Sequence, residues 1–117
     1  MTQTDWNSIQ VYLLDLIARA DFDGGRYPTA LVSFDAILDL QPRNDKAWYF
    51  KGNAMLQLGS SINEATQALA KAAVLDGNYA VPANDLLVST FSSNAPGGAA
   101  TRYVNDALAE ARRQLGL

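Results

Sequence analysis

Two stretches of the chain decide the fold: residues 27–42, YPTALVSFDAILDLQP, and residues 62–77, INEATQALAKAAVLDG. Laid over each other, they place Ala30 on Ala65, Phe34 on Leu69, Ile37 on Ala72 and Leu40 on Leu75, a register of 35 residues. In each, apolar positions recur three and four residues apart, the spacing that gathers side chains on one side of an α-helix. A fainter third copy, VNDALAEA at residues 104–111, follows the second after 42 residues rather than 35. Self-similarity at such a period is the signature of architectures built by stacking one supersecondary unit.

Working outward, each copy is preceded by another amphipathic segment. Trp6, Ile9, Leu13, Leu14 and Ile17 fall on one helical face ahead of Gly24 and Gly25. Trp48, Met55 and Leu58 do the same ahead of Gly59, with the small Gly52 and Ala54 between them, and Leu86, Leu87 and Phe91 precede the turn-forming cluster at residues 94–98. No stretch alternates with period two long enough for a strand, so the chain reads as all-α with about six helices: 5–23, 27–41, 45–58, 61–76, 81–93 and 101–115. The ends have local causes. Thr4 is expected to cap the first helix, with Asp5 favouring its positive end. Gly24 and Gly25 end it, and Pro28 fits the first turn of the next helix, where a missing N–H costs nothing. Pro42 biases Gln41 out of the helix. Asp45 starts the third helix, Gly59 ends it, and Gly77 with Asn78 ends the fourth. Thr101 is expected to cap the last helix, whose final turn holds Arg112 and Arg113 against the negative end of the dipole.

Composition narrows the chemistry. The 117 residues suit one domain, and 49% hydrophobic content is ordinary for a globular chain and too high for a disordered acidic tail. With no cysteine and no histidine, the chain lacks a thiolate nucleophile, a Cys-based metal site, and the commonest general base and metal ligand. Twelve acidic against nine basic residues argue against phosphate recognition, which needs clustered Lys and Arg. No apolar run is long enough to span a bilayer, and the start of the sequence lacks the basic and apolar stretches of a leader; a soluble cytoplasmic protein is the expectation. The Asp35 and Asp39 pair lies opposite Phe34, Ile37 and Leu38 and reads as solvated surface. Residues 21–25, DFDGG, fail as a calcium loop because Gly25 and Arg26 stand where a ligand and the loop glycine belong. Gly97 and Gly98 lack the preceding strand and the following Lys-Ser/Thr of a nucleotide site. No catalytic residue, metal or cofactor is expected.

Residues 11–44 and 45–79 resemble the tetratricopeptide repeat (TPR), a helix–turn–helix unit of about 34 residues. The second copy carries the resemblance best, through Trp48, Gly52, Asn53, Ala54, Leu58, Gly59, Ala65, Leu69, Ala72 and Leu75, with one extra residue in the turn after Gly59. The first matches through Gly25, Tyr27, Ala30, Phe34, Leu40 and Pro42, with Ala18 at the small position of its first helix and Leu14 in place of the usual Trp. Residues 80–117 depart from the pattern, because Leu87 stands where a small residue is expected and residues 92–100 make an over-long turn. They read as a degenerate repeat or a cap. The resemblance implies a single domain over 1–117, a right-handed superhelical stack of three antiparallel helical hairpins. The bottom-up argument agrees: Ala18, Ala30, Gly52, Ala54 and Ala65 mark places where helices can approach closely.

The resemblance also implies a concave groove lined by the first helix of each hairpin. Carried over, its positions are Tyr12, Asp15, Arg19 and Phe22, then Lys46, Tyr49, Asn53 and Leu56, then Val81, Asn84, Val88 and Phe91. The carboxylate clamp of some TPR proteins is absent, since the corresponding positions hold Asp15, Arg19, Phe50, Val81 and Asp85. The expected function is therefore a non-catalytic adaptor or scaffold that binds a peptide or helix of another protein, by a more apolar scheme. A self-assembling homo-oligomer joined through terminal hairpins is the second reading, and a small-ligand regulatory module the third.

Overall fold

A computed structural model of the chain describes residues 2–59, 61–94 and 98–117, apart from the side chains of Thr4 and Asn94. It contains six helices: α1 (Gln3–Asp23), α2 (Tyr27–Leu40), α3 (Asp45–Leu58), α4 (Ile62–Val74), α5 (Ala80–Asn94) and α6 (Ala100–Leu115). Among the described residues there is no strand, as the spacing of the apolar residues requires. Each helix packs against the next, and α4 also packs against α6. The molecule measures 53 × 32 × 20 Å. No described helix is long and apolar enough to cross a membrane.

The helix ends follow from side-chain chemistry, with three departures from expectation. The cap of α1 is Thr2, not Thr4: the Thr2 side chain accepts from the Asp5 N–H, and the Asp5 carboxylate accepts from the Thr2 N–H at 3.0 Å, a reciprocal capping box. The helix therefore begins at Gln3. The last helix begins at Ala100, so Thr101 lies inside it instead of capping it. The fourth ends at Val74, before Gly77, because Asp76 takes a left-handed φ of 61° and breaks the ladder first. Elsewhere the local signals act where they stand. Asn44 and Ser61 cap α3 and α4 through their side chains, Pro28 sits in the first turn of α2, and Gly59 ends α3 with φ 64°. The extra turn residue after Gly59 and Gly97 of the Gly97–Gly98 pair lie outside the described residues.

The core divides into two clusters. The first joins Ala18, Ala30, Phe34, Ile37, Leu38, Ala47 and Phe50; the second joins Leu69, Ala70, Leu87, Val104 and Ala111. Tyr49 packs against both. The small residues do the work their positions suggest: Ala18, Ala30, Ala54 and Ala65 are completely buried. A Cβ on Gly52 would stand 2.7 Å from Leu69 Cγ and 3.0 Å from the Ala65 carbonyl oxygen, so α3 and α4 touch there at a distance only glycine allows. The aspartate pair on α2 is exposed as expected, with Asp35 forming an ion pair to Lys51 at 2.7 Å.

One face departs from the expected packing. Of the five residues grouped on α1, only Leu14 packs against the core, together with Val11, Ala18 and Phe22. Trp6, Ile9, Leu13 and Ile17 are exposed. The cause is a helix apolar on two sides: the small Ala18 and its neighbours at three- and four-residue spacing suit the close contact with α2, leaving the bulkier stripe outside.

Candidate functional site

The expected groove residues must be taken contact by contact. On α1, Tyr12, Asp15 and Arg19 are three and four residues apart and so share one face. Tyr12 is 65% exposed. The Asp15 carboxylate accepts a 2.7 Å hydrogen bond from Lys46 Nζ on α3, with both side chains about one-quarter to one-third exposed. The Arg19 guanidinium lies over the Phe50 ring, 4.2 Å from its centroid, and its Nε is buried without a hydrogen-bond partner. Phe50 is the hub of this region. Its ring meets Phe22 edge-on at 5.2 Å, Tyr49 at 5.0 Å and Tyr79 at 5.6 Å, and lies parallel to Phe34 at 5.9 Å. Tyr49 and Tyr79 also touch each other, with centroids 5.3 Å apart.

Tyr79 is held by a second tie between α3 and the segment that enters α5. The Asp45 carboxylate, in the first turn of α3, accepts the Tyr79 backbone N–H at 3.3 Å. It lies against Gly77, where any Cβ would collide with it. Side chains from α1, α3 and the entry to α5 thus meet in one continuous chain: Asp15 with Lys46, Arg19 on Phe50, Tyr49 on Tyr79. A planar cation over an aromatic floor, next to an ion pair that already neutralises Asp15, leaves Arg19 as the local positive charge. It can offer its donors to a carboxylate.

Of the other expected positions, Phe22 and Tyr49 join this chain through their ring contacts and are half-buried packing residues of the core. Leu56 and Phe91 pack against the second cluster, and Phe91 also stacks on Tyr103 at 5.7 Å. The Asn53 side chain accepts a hydrogen bond from Gln57 at 3.3 Å. Asn84 is half-buried, while Val81 and Val88 are exposed. Tyr79 was not among the expected positions. It sits in the turn between α4 and α5, where helical offsets assign no role, and only its contact with Tyr49 shows its place.

Two further features lie away from this face. Trp48 carries two cations over its ring, Lys71 at 4.3 Å and Lys51 at 5.3 Å from the centroid, while its Nε1 donates to the Pro42 carbonyl at 2.8 Å. Burial, and then the neighbouring Lys51 charge, push the Lys71 amine below its ordinary pKa, with Glu110 opposing them. A cleft of about 270 Å³ lies between α4, α5 and α6, lined by Thr66, Lys71, Phe91, Tyr103 and Glu110 among others. Among the described residues, no group of three or more His, Cys, Asp or Glu side chains is placed to hold a metal ion. Comparison with protein-family models, with curated proteins and with solved structures returns no match to this chain.

Proposed function

We propose that the protein is a non-catalytic interaction module, a TPR-like right-handed superhelical stack of three antiparallel hairpins. In this reading, the face formed by α1, α3 and the entry to α5 binds a peptide or helical segment of another protein. The observation that carries the proposal is Arg19: a guanidinium over the Phe50 ring, 4.2 Å from its centroid, on the same helix face as exposed Tyr12. An aromatic group and an arginine presented together are typical binding anchors, and the preset position of the cation lowers the ordering cost on binding. The close α3–α4 contact at Gly52 and the 35-residue register support the stacked-hairpin architecture. The ligand this chemistry favours is a segment with a carboxylate side chain next to an apolar one.

Selection of peptides on the immobilised protein, followed by affinity measurement on variants, tests the reading. Arg19→Ala and Tyr12→Ala are each expected to weaken a selected peptide by about tenfold or more, in line with the loss of an interface anchor. Circular dichroism must show both variants folded. Full affinity in both would sink the groove assignment.

A further inference from the structure

The outward stripe of α1 carries a second inference, independent of the groove. Trp6, Ile9, Leu13, Leu16 and Ile17 are each between 40% and 54% exposed, although all five are large and apolar. With Ala20 they recur every three or four residues along the side of α1 opposite Val11, Leu14, Ala18 and Phe22, which face the core. A helix apolar on opposite sides is one that is covered on both. No charged side chain interrupts the stripe from Trp6 to Ala20, a length of about 21 Å at the helical rise.

We infer that this face is covered by the same face of a second copy, in an antiparallel α1–α1 pair with its two-fold axis at Leu13. Two observations commit it to that occupant. First, area: one stripe exposes on the order of 500 Å² of apolar surface, toward the upper end of what a monomer leaves open, and two fully covering each other bury about 1,000 Å², the lower bound for a specific interface. Second, shape: with Leu13 meeting its own counterpart, Ile9 falls opposite Ile17, and the bulky Trp6 falls opposite the small Ala20. A two-fold interface requires this self-complementarity, with residue i meeting j and j meeting i.

The test uses sedimentation equilibrium from micromolar to millimolar concentration, with cross-linking. The full chain is expected to dimerise. Leu13→Glu, which sets two carboxylates together at the axis, is expected to weaken the dimer by about 100-fold or more while leaving the helical spectrum intact, since Leu13 is exposed in the monomer. The chain has no cysteine of its own, so introduced thiols report the geometry directly. Under mild oxidation, Leu13→Cys is expected to cross-link to itself. Trp6→Cys is expected to cross-link only when mixed with Ala20→Cys. A monomer at every concentration, a dimer indifferent to Leu13→Glu, or self-cross-linking of Trp6→Cys would each overturn the inference.

Discussion

At the scale of single residues, Gly52 shows how a propensity penalty is offset by packing. Glycine inside a helix costs about 1 kcal/mol relative to alanine. Here a Cβ would meet Leu69, which is completely buried and has no room to retreat, and the Ala65 carbonyl oxygen, which belongs to the α4 backbone. Overpacking of this kind costs about 1–3 kcal/mol, so the close approach outweighs the propensity gain. Gly52→Val is expected to lower unfolding free energy by about 2 kcal/mol in urea titration. A gain in stability from Gly52→Ala would show the α3–α4 contact to be looser than described. Buried Thr66 and Thr90 illustrate the same accounting for polar groups. Their hydroxyls donate to carbonyls one turn back, Thr66 to Ile62 at 2.9 Å and Thr90 to Leu86 at 2.7 Å, so neither is left unsatisfied in the core.

At the scale of elements, α1 and α6 differ in what their surfaces carry. The first is apolar on two sides and the last is strongly amphipathic, its outer face held by charges. On α6, Glu110 accepts from Arg113 Nε at 2.9 Å, from Arg113 Nη2 and from Gln114 at 2.9 Å. These hydrogen bonds, led by Arg113, lower the Glu110 pKa from 4.5 to about 2. A carboxylate whose folded pKa is depressed favours the folded state above its unfolded pKa. That contribution is therefore whole above about pH 4.5 and is lost as pH falls through about 2. Because the group is solvent-exposed, the effect is small and best read locally. Carboxyl NMR titration of Glu110 is expected to show the low midpoint, and Arg113→Ala to return it most of the way to 4.5. A midpoint unmoved by Arg113→Ala would contradict the assigned cause.

For the whole molecule, the two core clusters raise the question of whether the chain unfolds in one step. Tyr49 belongs to the border of both, α4 packs against α3, α5 and α6, and Arg43 in the α2–α3 turn donates to the Leu115 carbonyl at the end of α6, 2.8 Å away. These ties span the chain and favour a single cooperative transition. Ile37 belongs to the first cluster and Leu87 to the second. Ile37→Val is expected to cost about 1 kcal/mol and Leu87→Ala about 2–5 kcal/mol. The double variant should equal their sum within about 0.5 kcal/mol, still melting in one transition. Two separated transitions would show that the clusters are independent units.

The sequence by itself determined the helical class, the number of helices and most of their ends, because apolar spacing, prolines, glycines and capping side chains act within a few residues of themselves. It also indicated the close contact at Gly52, since a glycine in mid-helix needs a local reason. The candidate site was not readable in that way: Tyr12, Asp15 and Arg19 share a face by spacing, but the resemblance to the tetratricopeptide repeat is what singled them out. What spacing leaves open is which of two apolar faces turns inward, and α1 has two. The choice fell to Val11, Leu14, Ala18 and Phe22 because α2 and α3 can nest against a face with a small residue at its centre, and only the packed structure contains that partner. The meeting of Arg19 with Phe50, and of Tyr49 with Tyr79, was likewise decided by tertiary contact. Those pairs join residues from different elements, and no local rule couples them.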